Sequence, residues 1–211
     1  MASPLKISSV LLLFLLTLSA RGQNYPFARD FIKGEIILKD SSRKAGLIKW
    51  FPAPEEKLVF RENENSRKQK YPPEDLLGFK VDTFRFVSIA DFEVYGNDYA
   101  LLGKISKIKH TFGELIDSGR FNIYFVLFSG YNALSGTMQS YPNYLFEKKS
   151  DSGYQYAAYP AGMRMKEKKY EMAKESLYVF FRDYPEIIEK IKSYKPEQDF
   201  SGIIKLVERL N

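Results

Sequence analysis

The chain has 211 residues and a formal net charge of +6, from 32 Lys and Arg against 26 Asp and Glu. Its 45% apolar content, with 17 Phe and 15 Tyr, is enough for a packed core and excludes an intrinsically disordered chain. It contains no Cys, which excludes disulfides, thiolate zinc sites, a cysteine nucleophile and lipidation of a processed N-terminal Cys.

The first element in chain order is an export signal. Lys6 precedes an unbroken apolar run, Val10 to Leu16, followed by Ala20-Arg21-Gly22 with small residues where a signal peptidase needs them. The run is too short to span a bilayer, so residues 1–22 read as a cleaved leader and Gln23 as the mature start. Cleavage removes Lys6 and Arg21 and no acid, so the basic count falls from 32 to 30 against 26 acids, a net charge of +4. No later apolar stretch reaches membrane-spanning length, so no transmembrane segment is expected after cleavage. Lys and Glu are mixed along most of the chain instead of gathering the basic excess in one run, which argues against nucleic-acid binding.

From Phe31 to about Ile89 short β-rich stretches alternate with turn chemistry, as in an antiparallel meander. Residues 34–39 turn at Asp40-Ser41-Ser42 and return as 45–50, a hairpin with a glycine near the start of each arm. Residues 57–60 and 68–71 flank a polar tip and predict a second, more exposed hairpin. Pro72-Pro73-Glu74-Asp75 suits one helical turn, and 78–81 and 84–87 are the next strands. The stretch Ala100 to Ile116 has apolar spacings compatible with either a helix or two strands. Residues 121–128 are aromatic and β-branched enough for a central strand, and 144–148 with 154–158 form a hairpin around Asp151-Ser152-Gly153. From Met163 the period becomes helical: Tyr170, Ala173, Leu177 and Phe180 line one face, with Pro185 expected to end that helix. Ile187, Ile188 and Ile191 stripe a second helix. A third starts at Pro196 with Glu197 and Asp199 and buries Phe200, Ile203, Ile204, Val207 and Leu210.

The fold class that follows is α+β: a leader at 1–22, a β-rich body at 23–162, and a helical C-terminal segment at 163–211 packed on it. The body is either an antiparallel β-meander or a small SH3-like barrel. Ending on a helix, without regular ten-residue alternation, argues against an outer-membrane barrel.

Catalytic signals are sparse. The single histidine, His110, would share a face with Glu114 and Asp117 only if that stretch were helical, and one imidazole with two carboxylates falls short of the usual structural zinc set. Neither Ser129-Gly130 nor Ser135-Gly136 sits in a G-x-S-x-G elbow, and no G-x-G-x-x-G or Walker loop is present, so no catalytic residue, metal or cofactor is assigned. Two groups suit a partner. Tyr154, Tyr156 and Tyr159, with Tyr141 and Tyr144 nearby, read either as a sugar- or protein-binding face or as core. Arg67, Lys68 and Lys70 read either as a phosphate or polysaccharide contact or as charges that keep an exposed strand from pairing edge to edge.

Several of these residues carry a family resemblance: Gly34-x-Ile36, Gly46-x-Ile48, Leu58-Val59-Phe60, Tyr71-x-Pro73-Glu74-Asp75-x-x-Gly78-Phe79, and the tail Phe180-Phe181-x-Asp183-x-Pro185-Glu186-Ile187 with Ile203-Ile204. The chain resembles a group of exported, uncharacterised proteins of Bacteroidota. It departs from them at Ser41, where the group tends to have a turn glycine, and at Tyr184, where relatives often carry a Cys. The resemblance implies a Gram-negative envelope location, periplasmic or extracellular, and transfers no activity to particular residues. The expected function is a non-catalytic binding or structural module that meets an envelope protein or glycan. The alternative is a hydrolase of envelope glycan or peptide whose carboxylates meet only in the fold.

Overall fold

The computed structural model describes residues 25–52, 57–95, 105–132, 137–151, 153–161, 167–195 and 200–211. The leader at 1–22, the turn residue Ser152, Met163 and the third helix's expected start at Pro196 lie outside them. Ten strands follow in chain order: β1 (Ile32–Leu38), β2 (Arg43–Lys49), β3 (Leu58–Arg61), β4 (Gln69–Tyr71), β5 (Leu76–Val81), β6 (Phe84–Tyr95), β7 (Ile105–Asp117), β8 (Asn122–Asn132), β9 (Thr137–Ser150) and β10 (Gly153–Pro160). They form one open antiparallel sheet in the order β10-β9-β8-β7-β6-β5-β1-β2-β3-β4. Three helices come after it, α1 (Glu167–Phe180), α2 (Pro185–Ser193) and α3 (Ser201–Glu208), giving the expected α+β class. No helix among the described residues is long and apolar enough to cross a membrane.

The β1–β2 hairpin shows why its glycines are paired. Gly34 lies opposite Gly46 in the ladder. A Cβ on Gly34 would come 2.5 Å from the Lys80 carbonyl oxygen of β5, and one on Gly46 would come 2.5 Å from the Arg61 carbonyl oxygen of β3. The two glycines therefore let β1 and β2 crowd against their outer neighbours. At the tip, Ser41 adopts φ 66°, the left-handed conformation in which glycine costs least, and Asp40 accepts from both the N–H and the hydroxyl of Ser42.

The apolar interior has two parts. In the first, a 3-10 turn at Pro26–Ala28 carries Tyr25 and Phe27 into the sheet, where the Trp50 N–H donates to the Phe27 carbonyl at 3.0 Å. Phe79 and Phe86, opposite each other on β5 and β6, stack with centroids 4.6 Å apart, and Trp50 meets Phe86 edge-on at 4.8 Å. Each such pair contributes about 0.5–1.5 kcal/mol beyond simple burial. In the second part, Phe121, just before β8, and Phe146 of β9 pack on Phe180, Phe181 and Phe200 of the helical segment.

The helical faces mostly follow the sequence: Tyr170, Ala173, Leu177 and Phe180 are buried on α1, Ile187 and Ile191 on α2, and Ile203, Ile204 and Val207 on α3, whereas Ile188 and Leu210 are only half-buried and Leu210 lies beyond the end of α3. Pro185 has a different role from the one expected. α1 ends at Phe180, and Pro185 opens α2, a position where its missing N–H costs nothing.

The stretch compatible with a helix or two strands is, from residue 105 on, the single strand β7, paired with β6 from Phe86↔Glu114 to Tyr95↔Ile105, while residues 100–104 lie outside the described residues. Four residues of strand cover roughly 13 Å, so His110, Glu114 and Asp117 are not gathered into one site. His110 is exposed, whereas Glu114 is buried and accepts from the Tyr25 hydroxyl at 2.6 Å.

The sheet also curls. Asn143 of β9 is fully buried and reaches β6 by accepting from the Tyr95 N–H and donating to the Tyr95 carbonyl, both at 3.1 Å. The curl brings β10 against β6, where the Tyr156 and Phe92 rings lie 5.8 Å apart.

Candidate functional site

Strand alternation decides which tyrosines face outward. Residues 154 and 156 of β10 share one face, and residue 159 lies on the other. Tyr154 is 62% exposed and Tyr156 is half-buried. Tyr159 is 1% exposed and stacks on Phe200 at 4.2 Å, so it belongs to the core beneath the helices and offers no contact surface. Tyr141 is buried too, and Tyr144 stacks on Phe200 at 5.7 Å.

The outward pair borders a cleft of ≈ 330 Å³ between β6 and β10, whose wall includes Asp91 and Glu93 of β6, Lys107 of β7, Tyr154 and Tyr156, and Ser176 of α1. Asp91 has φ 57°, an unusual value for a non-glycine residue within a strand, and one that Asp tolerates better than most. The ladder continues on either side of it, through Ala90↔His110 and Phe92↔Ile108. Glu93 and Lys107 stand directly opposite each other in that ladder, yet neither closes an ion pair among the described residues. The cleft wall thus offers carboxylate acceptors beside an ammonium donor, none of which closes an ion pair among the described residues.

Behind Tyr156 lies a buried carboxylate. Glu147 of β9 is opposite Asn122 on one side and Tyr156 on the other, a polar row across three strands. At 7% exposure it accepts from Asn122 Nδ2 at 2.6 Å and from the Tyr124 hydroxyl at 3.2 Å. Burial first, and then hydrogen bonding and charge from Glu147, push the Tyr156 hydroxyl well above the usual phenol range. Burial, followed by the charge of Glu147 and its hydrogen bond, does the same to Tyr124. Tyr124 is held by the hydrogen bond it donates, and Tyr156 faces the same carboxylate across the ladder.

The basic run lies elsewhere. Arg67, Lys68 and Lys70 are all exposed, with Lys70 on β4, at the opposite end of the strand order from β10. Lys68 Nζ sits 5.6 Å from the centre of the Phe31 ring, which the Arg61 guanidinium covers at 4.2 Å. The structure brings Tyr154 and Tyr156 together and leaves both Tyr159 and the basic run outside the cleft.

Sequence reasoning did not single out Asp91, Glu93, Lys107 or Glu147. The alternation of Asp91 and Glu93 with Phe92 and Val94 is a signal that could have pointed to a half-exposed strand, but the pairing of Glu93 with Lys107 depends on β7 being a strand. In comparisons with known proteins, no family model, curated protein or solved structure matches this chain.

Proposed function

We propose that the protein is an exported, non-catalytic binding module of a Gram-negative cell envelope that holds a protein or glycan partner through the β6–β10 cleft. One observation carries this reading: Tyr154, on the rim of the cleft, is 62% exposed beside Glu93 and Lys107, which close no ion pair among the described residues. A large aromatic ring left in water costs stability and suits a contact surface, where it adds much area with only two rotatable bonds. The leader at residues 1–22 and the resemblance to exported Bacteroidota proteins support the location. The strand order β4-β3-β2-β1-β5, with a 3-10 turn just before β5, supports reading the first five strands as a small SH3-like barrel that serves as scaffold.

The hydrolase alternative has less to recommend it. Glycosidic cleavage needs two carboxyls on opposite sides of the scissile bond, and Asp91 and Glu93 stand two apart on the same strand. The test is incubation of the purified protein with peptidoglycan fragments and envelope peptides, monitored by mass spectrometry. Binding without product is the expected result. Turnover that disappears in Asp91→Ala or Glu93→Ala would overturn the non-catalytic reading.

A further inference from the structure

We infer that the ligand held in the β6–β10 cleft is a neutral saccharide, with the Tyr154 ring as its stacking platform. This rests on the binding-module reading and adds the ligand class to it. Asp91 and Glu93 on the wall, with Glu147 behind Tyr156, oppose an anion, and Lys107 in the same wall opposes a cation. A sugar hydroxyl escapes both objections because it donates and accepts at once, so it can give its proton to Asp91 or Glu93 and accept from Lys107 or Ser176. The register supports this: Glu93 and Lys107 lie directly opposite each other without closing on one another, which leaves an acceptor and a donor a strand's width apart, the arrangement adjacent hydroxyls need.

The aromatic side of the cleft meets the other half of a sugar's chemistry. A pyranose presents C–H faces that lie flat on an exposed ring, and Tyr154 offers such a ring at the rim. Tyr156 is packed on the Phe92 ring and stands opposite Glu147 in the ladder, and that carboxylate is itself held by Asn122 and Tyr124. Less ordering is then left to do on binding. The ≈ 330 Å³ of space is at the lower end for organic ligands, which fits one or two sugar rings with the rest of a glycan chain in solvent. For a shallow, open site the dissociation constant is expected on the order of 0.1–1 mM.

The experiment is saturation-transfer NMR on the purified protein with chitohexaose, cellohexaose and mannohexaose, in 0.05 and 0.5 M NaCl, alongside photo-crosslinking from position 154. The expected result is saturation of ring C–H protons in at least one sugar, unchanged by salt, retained in Tyr154→Phe, and at least tenfold weaker in Tyr154→Ala. Glu93→Gln also weakens binding, by replacing a double acceptor with a group that both donates and accepts. No saturation by any of the three sugars, or wild-type binding by both Tyr154→Ala and Glu93→Gln, overturns the assignment. Loss of the signal at high salt does the same, because hydrogen bonds and ring stacking to a neutral sugar are not screened by salt. A protein adduct at position 154 with no sugar binding overturns the saccharide and leaves the binding-module reading standing. The lack of both overturns the two together.

Discussion

Asn211 gives Phe121 the hydrogen bonds that a neighbouring strand would give. Its side-chain oxygen accepts from the Phe121 N–H at 2.9 Å and its amide nitrogen donates to the Phe121 carbonyl at 2.9 Å. The same nitrogen reaches Asp117 Oδ2 at 2.6 Å, so one side chain ties the region after α3 to the β7–β8 turn. A Cβ on Gly119 would lie 2.7 Å from the Asn211 Cβ, so the turn has to be bare for the amide to dock. Asn211→Ala removes these bonds and should lower unfolding stability by about 1–2 kcal/mol. Denaturant melts with an unchanged m value are the check. An unchanged midpoint would mean that the amide is not a tie.

The tip of the first hairpin gives the opposite sign. Ser41 has φ 66°, where a Cβ is strained. Relief of that strain is partly offset by glycine's greater freedom in the unfolded chain, so Ser41→Gly should stabilise by about 0.5–1 kcal/mol. A lower melting temperature would show that the Ser41 side chain makes a contribution of its own.

Tyr159 has a buried hydroxyl without a partner among the described residues, in a ring stacked on Phe200. Tyr159→Phe keeps the stack and removes the unsatisfied group, so it should be neutral to stabilising by about 1 kcal/mol. Tyr159→Ala should cost about 3–5 kcal/mol through the cavity it leaves. The two melts together separate hydroxyl from ring.

Stability should depend on pH at both ends of the range. Burial raises the Glu114 carboxyl above its ordinary 4.5, and the Tyr25 hydroxyl pulls it part of the way back. The folded state then keeps a proton that the unfolded chain has released. The stabilisation from that proton is complete below 4.5 and is lost as pH rises through the higher folded value. Stability of Glu114→Gln should therefore fall less steeply than wild type as pH rises above 4.5. At the alkaline end Tyr25, Tyr124, Tyr156 and Tyr159 are all raised above 10.0, chiefly by burial. The unfolded chain ionises first, so stability falls as pH climbs past 10.0. Equal pH slopes in wild type and Glu114→Gln would contradict the acidic arm, and a flat profile above 10.0 the alkaline one.

Local chemistry explains which elements were legible. The hairpins at Asp40–Ser42 and around Gly153 are marked by turn residues beside alternating strands, and Gly153 does adopt a positive φ of 124°. β7 was ambiguous because its apolar spacing fits both periods and its partner β6 settles the matter only through tertiary pairing. Pro185 reads as a stop in the sequence and is a start in the structure, since a proline marks a helix boundary without saying on which side the helix lies. Tyr154, Tyr156 and Tyr159 form one group in the sequence, although strand parity alone puts 159 on the face opposite 154 and 156. The cleft was hidden for a different reason: Glu93 meets Lys107 through a register, and Asn143 meets Tyr95 across 48 residues.

The central claim is that the face carrying Tyr154 meets a partner in the envelope. The most direct measurement places p-benzoylphenylalanine at position 154, and separately at Val179, which is 72% exposed on α1, and irradiates living cells of the native host. Benzophenone inserts into C–H bonds of proteins and glycans alike, so either partner class leaves an adduct. The account predicts a reproducible adduct of defined mass from position 154 and none from position 179. Equal labelling at both positions, or none at 154, would contradict it.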